Sequence, residues 1–527
     1  MKHVILLFIV GVSIWALLPP RGGSSEVISS SVATREQGGV KYVIRVDPGP
    51  LYLPGLVPEN AKAPVQGFRV VADAFEKLYP DTRIEFLGCP EGTREWLVTQ
   101  LSSAQAPDII QVNARDAWQD VRKHWYIPLD GYLDEPNPFV AKGEPGSIRW
   151  WDQFKYPVHT QSTRAPDGRI YNVSLDMIET GIYYNKTIFA RYHLSPPKDW
   201  VEFLGIMRML KAAGIPSPML VEKRDFTDWG CDIIFDQMYG NMRPLMDLNY
   251  DPRRGEDLNG YLDWDEVTLL HRHGFFTPRD DRWRETFRIL REWREFMPQD
   301  MAGTDFFKGF VTQQGAMLWA SSLTLPRLVN DPHLGFEWGM FYLPSIPSSY
   351  SRFADGHPMS AVGGAANQYH VTNSSLSDTP AEMPFEQRME KSERLKRTIA
   401  FLQFMCMPKN CNTVVNEITA FIPNIKGVDS RPELAPFDEF LTRHYSMTKW
   451  FFTFDLQFDE VLERMFDLYM NDGISLDSFL DWMQDNIDSA SATMTRQHHP
   501  DFAPLEKTWE SHAGMRKNYT DLPAEAR

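Results

Sequence analysis

The segment from Pro166 to Leu210 constrains this chain most, because it asks an extended strand to carry carboxylates through its middle. Pro166-Asp-Gly is a turn signal: proline presets one dihedral and glycine accepts a positive φ that other residues resist. The alternation from Ile170 to Tyr184 then predicts a strand. Asp176 and Glu179 fall inside it, and a sheet interior tolerates such groups only when they are paired or face a wet cleft. A cleft of that kind would bind something.

The order of elements here resembles the family 1 extracellular solute-binding proteins, the maltodextrin-binding type that feeds ABC importers. The carriers of the likeness are Asp167 to Val173, then Tyr183-Tyr-Asn-Lys186, then Pro196-Pro-Lys-Asp-Trp-Val-Glu-Phe203. Ser174 stands where that family often has proline, and Asp199 where it often has threonine. Asp199 can still cap the helix that follows, since its carboxylate can accept from a first-turn amide. The likeness continues through Phe75-Glu-Lys-Leu-Tyr-Pro, Gln105-Ala-Pro-Asp-Ile-Ile, Tyr126-Ile-Pro-Leu-Asp-Gly-Tyr-Leu, Phe310 to Trp319, Gly339 to Pro344, Ala361-Val-Gly-Gly-Ala-Ala and Ile422-Pro-Asn. Matches from about 41 to about 490 in the right order are beyond what one short motif supplies. The resemblance implies an α/β, two-lobed periplasmic-binding-protein fold of type II, with discontinuous lobes joined by hinge strands.

A chain of 527 residues is too long for one ordinary core, which independently asks for two lobes. The formal charge of -16 argues against a nucleic-acid partner, which would need clustered Lys and Arg. Met1-Lys-His, an apolar run from Val4 to Leu18 and a Gly/Ser-rich exit read as an export signal or an N-terminal anchor over 1–25. The run is short for a span, which needs roughly 20 residues.

The four cysteines are Cys89, Cys231, Cys406 and Cys411. Cys406 and Cys411 are the close pair, either a disulfide or two buried thiols. Their spacing fits no common zinc pattern, so no metal is expected.

The expected division is 40–177 plus 363–430 for the first lobe and 178–362 plus 431–497 for the second. The stretch 241–279 reads as a surface insertion, the His271-Arg-His273 pair within it as exposed, and 498–527 as a loosely ordered tail. Strands are expected at 41–46, 82–87 and 109–112, with a helix over 67–78.

Ligands of such folds lie outside the carboxyl ends of the strands, in a cleft both sheets share. The candidates in the first lobe are Asp47, Glu91, Trp96, Asn113, Arg115 and Asp116. Asp176, Glu179 and Gly364 mark the crossings between lobes; in the second lobe the resemblance places an Asp-Trp ligand contact in the stretch holding Asp228, Trp229 and Tyr239, while Trp319 and Ser321 end another strand. Sugars suit carboxylates and rings together, because hydroxyls pair with planar acceptors while C–H faces stack on aromatics. The expected protein is therefore a monomeric, extracytoplasmic receptor without cofactor, taking a sugar or oligosaccharide to an ABC permease. A glycoside-processing enzyme and a sensor subunit are the alternatives.

Overall fold

The computed structural model describes residues 39–58, 63–89, 94–156, 165, 167–248, 262, 264–360, 362–437, 456–498 and 501–517. Residues 1–25, for which an export signal or anchor is expected, and Glu91 lie outside the described residues. Among them run eleven strands: β1 (Tyr42–Val46), β2 (Thr82–Phe86), β3 (Ile109–Gln111), β4 (Asn172–Ser174), β5 (Asp176–Asn185), β6 (Met219–Val221), β7 (Met317–Ser321), β8 (Trp338–Phe341), β9 (Gly363–Ala365), β10 (Gln368–Val371) and β11 (Ile422–Pro423).

They form two sheets. The first has the order β2-β1-β3-β10-β4, with β1 parallel to β2 and β3, and β10 antiparallel to β3 and β4. The second is built on β5, which takes β11 and β9 near its start and β7 and β8 further on, with β6 parallel to β7. Only Leu175 separates β4 in one sheet from β5 in the other, and only Ala366 and Asn367 separate β9 from β10. The single expected strand from Ile170 to Tyr184 is thus cut at Leu175, where the chain changes sheets.

Each sheet has its own core. Around the first pack Ile44, Val46, Phe68, Phe75, Ile84, Tyr369, Phe401 and Leu402. The second is denser in rings, including Trp200, Phe203, Phe235, Trp283, Phe287, Trp293 and Trp319. The helix Gly67–Leu78 shows how these residues find their place: Phe68, Val71, Ala72 and Phe75 are buried at helical spacing. Its first amides have no intrahelical acceptor, and the carboxylate of Glu417 takes those of Gln66 and Gly67 at 2.7 and 2.8 Å. In the helix Trp200–Ala212, Asp199 accepts from the Glu202 amide at 2.9 Å, the cap its sequence foretold.

Three expectations are corrected. The described parts of the stretch 241–279 are not confined to the surface: Met242, Leu245, Met246, Leu248, Leu262, Leu269, Leu270, Phe275 and Phe276 are buried in the second core. His271 is buried as well, 2.6 Å from Asp488, while His273 pairs with Glu506 at 2.9 Å. The tail is partly helical over Ala503–Ser511, and its Trp509 ring stacks on His273 with centroids 4.8 Å apart. The charge and prolines of the insertion masked an apolar periodicity that core packing uses.

Candidate functional site

In the first sheet the parallel strands β1, β2 and β3 end at one edge, and the residues leaving that edge converge on the second crossover. Asp47 leaves β1, and its Oδ1 accepts from the Gly49 amide at 3.0 Å. Gly49 has a φ of 87°, and a Cβ there would stand 2.9 Å from Asn367 Oδ1 and 3.3 Å from Gln111 Cγ, so the loop has no room for a side chain. Cys89, leaving β2, sets its thiol against Asp47, and burial followed by that carboxylate pushes the thiol well up. Leaving β3, Asn113 accepts from the Asp116 amide at 3.0 Å, and the Ala114 amide donates to the Gln368 side chain. Asn113 and Asp116 are partly exposed, and Arg115 lies in the same short helix Ala114–Trp118.

The crossovers themselves are sealed. Asp176 is fully buried; its Oδ1 accepts from the Asn367 amide at 3.0 Å, and its Oδ2 from Asn367 Nδ2 and Tyr52 Oη, each at 2.8 Å. Burial raises its carboxyl to about 6, against these hydrogen bonds that favour the charged form. Glu179 is fully buried too: its Oε1 accepts from the amides of Thr180 and Val362, both at 2.8 Å, and its carboxyl is pushed up to about 8 by burial. The expectation that these two carboxylates face a wet cleft is therefore corrected. They tie β5 to the strands that pass beside it, and Tyr52, Asn367 and Tyr342, which hold them, carried no signal in sequence because each acts across a long separation. Gly364 pairs with Ile178 at a φ of 137°, a conformation that favours glycine.

In the second sheet, Ser321 ends β7 opposite Thr180, and it is partly exposed. Asp228 is partly exposed in the π-helical turn Phe226–Gly230, beside the buried Trp229. Tyr239 and Trp319 are core residues instead. Tyr239 donates to Asp280 at 2.8 Å from full burial, and Trp319 packs its ring 5.3 Å from that of Trp293. Both point to the helix layer, away from the strand ends. Trp96 packs against a small cluster around Leu101, Ile110 and Tyr126. Glu222, which follows β6, was missed because three residues are too short a strand to show a pattern. It is half-buried, and burial raises its carboxyl while Arg327 opposes the rise.

Cys406 and Cys411 are both buried and are not bridged to each other. The Cys411 thiol donates to Leu175 O at 3.7 Å, and burial pushes the Cys406 thiol up to about 12. Each thiol is thus held as a small apolar group in the core, which is the alternative to a bridge. Among the described residues no cluster of His, Cys, Asp and Glu is arranged to hold a metal.

Two sheets joined by adjacent crossovers, with strand ends meeting beside them, define a two-lobed α/β binding protein. The profile of the family described as bacterial extracellular solute-binding protein matches residues 61–368, and the chain belongs to that family. It is 26% identical over 167 residues to the uncharacterized ABC transporter extracellular-binding protein PH1039 of Pyrococcus horikoshii, a match spanning 30% of this chain and 34% of that relative. Among solved structures it is similar to a chitin oligosaccharide binding protein, at 17% identity and a TM-score of 0.57 over 86% of this chain and 100% of that one. The cyclic alpha-maltosyl-1,6-maltose binding protein from Arthrobacter globiformis gives 16% identity and a TM-score of 0.55, over 86% and 99%. These likenesses establish the shared fold.

Proposed function

We propose that the protein is an extracytoplasmic receptor that closes on a sugar or oligosaccharide between its lobes and hands it to an ABC permease. The lobes are 40–177 with 363–430, and 178–362 with 431–497. The observation that carries this reading is the pair of crossovers at Leu175 and Ala366–Asn367, about which two separately cored sheets can turn. Solute contacts from both lobes favour the shut form, so binding is a population shift.

The contacts we assign are Asp47, Asn113, Arg115 and Asp116 from the first lobe, and Glu222, Asp228 and Ser321 from the second. Acidic and amide groups of this kind suit hydroxyls, which donate and accept at once. The proteins of the same fold named above are named for oligosaccharides, which supports that solute class. The molecule acts as a monomer without cofactor, and its N-terminal segment directs export. As a receptor it releases its solute unchanged.

A thermal-shift screen over oligosaccharides, polyols and phosphorylated solutes tests the reading. A solute at a hundredfold its Kd adds about 2.7 kcal/mol of stability. A sugar should raise the melting temperature, and Asp116→Ala or Asp228→Ala should abolish the rise. A response to phosphorylated solutes alone, or turnover of any oligosaccharide on incubation, overturns it.

A further inference from the structure

Two charged side chains at the edge of the second sheet stand near each other with no bond between them. Glu222 follows β6 directly and is half-buried; its carboxylate takes part in no side-chain hydrogen bond or ion pair among the described residues. Arg327 belongs to the helix Leu325–Asn330, which β7 enters through the short turn Ser322–Thr324. It too is half-buried, and its guanidinium makes no hydrogen bond or ion pair among the described residues. What holds it is a ring: the guanidinium carbon lies 4.0 Å from the centroid of Phe307.

The topology explains why these groups meet. β6 and β7 run parallel with Val221 opposite Trp319, so both leave the sheet at one edge, Glu222 just after β6 and Ser321 at the end of β7. Phe307 arrives on the helix Phe306–Val311, whose Gly309 packs against the Leu220 side chain. Burial pushes the carboxyl of Glu222 up; the Arg327 and Arg224 charges oppose that rise, and Asp305, which caps the helix of Phe307, adds to it. Lys223 is turned away to Glu463 and Asp467. Glu222 and Asp305 thus balance Arg327 and Arg224 at this corner. Stacking on Phe307 keeps the guanidinium from closing on the carboxylate, so a fork of N–H donors and a pair of acceptor oxygens stay open side by side.

We propose that Glu222 and Arg327 form a charge-balanced subsite for adjacent hydroxyls of an uncharged sugar, with Phe307 as the positioning residue that holds the guanidinium open. One hydroxyl oxygen accepts from the guanidinium while its neighbour donates to the carboxylate, a double role that no single charged group of a solute can fill. An amino sugar meets Arg327 with like charge and a sugar acid meets Glu222 with like charge, so the corner selects against both. A zwitterion answers the two groups only by stripping water from two charges of its own, a cost that hydroxyls avoid. The inference rests on the receptor reading above and narrows its solute class to neutral, hydroxyl-rich compounds.

Titration calorimetry on the full chain tests this with neutral trisaccharides of glucose, galactose and N-acetylglucosamine, the cationic trimer of glucosamine, the anionic trimer of galacturonic acid, and free amino acids. The wild type should bind a neutral member and prefer it to every charged one. Arg327→Met removes the donor fork, so affinity for the neutral sugar should fall about tenfold to a hundredfold, the worth of a charge-assisted hydrogen bond. The same variant should gain affinity for the glucosamine trimer, by roughly fivefold at low salt. Glu222→Gln should mirror this, losing the neutral sugar and gaining the galacturonate trimer. A merely structural role for either residue would move all affinities together, so the opposed shifts carry the proposal. A wild type that prefers a charged trimer or an amino acid overturns it, as does an Arg327→Met variant whose neutral and cationic affinities move together or not at all. The melting temperature of each solute-free variant checks its fold; should Arg327→Met not fold, the mirrored shift in Glu222→Gln decides. Failure of the receptor reading looks different: no member of the panel, neutral or charged, binds the wild type, and the subsite falls with it.

Discussion

Replacing Gly363 with alanine would place a methyl carbon 2.1 Å from Ile178 O, 2.8 Å from the Ile178 carbonyl carbon and 2.9 Å from Glu179 Cα. All three are backbone atoms of β5, so no side chain can swing aside and the strands must part by about an ångström, the deficit against an ordinary contact of roughly 3.5 Å. Overpacking of this kind costs about 1–3 kcal/mol, and weakening one or two ladder bonds adds about 1 kcal/mol each. The expected loss is therefore roughly 2–5 kcal/mol, a large part of the ~5–15 kcal/mol that holds a typical domain. At about 2–4 °C per kcal/mol for a lobe of this size, differential scanning calorimetry should show a melting point lower by roughly 4–20 °C. Gly205, within the helix Trp200–Ala212, is the control: a Cβ there meets nothing within 4 Å. Gly205→Ala should stabilise by about 0.5–1 kcal/mol, the helix penalty of glycine. If Gly363→Ala melts within a degree or two of the wild type, β9 does not lie against β5 as described, and the reasoning about the crossover fails with it.

Asp176, held up at about 6 by burial, binds its proton more tightly folded than unfolded, so its contribution is present at low pH and lost as pH rises from about 4 to about 6. Urea titrations across that window should show roughly 3 kcal/mol less pH-dependence in Asp176→Asn than in the wild type, and parallel curves would refute the assignment. Tyr239→Phe removes the hydroxyl that donates to Asp280 Oδ2 and should cost about 1–3 kcal/mol in the same titrations while leaving solute affinity unchanged. A change in affinity would return Tyr239 to the cleft. A thiol reagent added without reductant should modify all four cysteines after denaturation but spare Cys231, Cys406 and Cys411 in the native protein, where they are buried. Fewer than four reactive thiols in denaturant would reveal a disulfide.

Much of the fold was legible because local chemistry and tertiary structure agree there. The helix Gly67–Leu78 has the apolar spacing its core demands, and Asp199 caps where its position says it should. Legibility failed where a residue's partner is remote. Asp176 and Glu179 looked like cleft residues because sequence shows a carboxylate in a strand but not Tyr52, Asn367 or Val362 arriving from 124, 191 and 183 positions away. Trp319 ends in a tryptophan-rich core because alternation along β7 gives which residues share a face, and not which face meets helices. Asp116 is a candidate from a strand end, a topological rule that needs no side-chain partner, and Asp228 from the resemblance.

The brevity of the two links carries a mechanical consequence. One residue at one crossover and two at the other leave little slack there for sliding or for rotation about the long axis, which favours a bite. A jaw of that kind selects cargo by thickness before chemistry: a guest too bulky props it ajar, and one too slim is gripped from a single side.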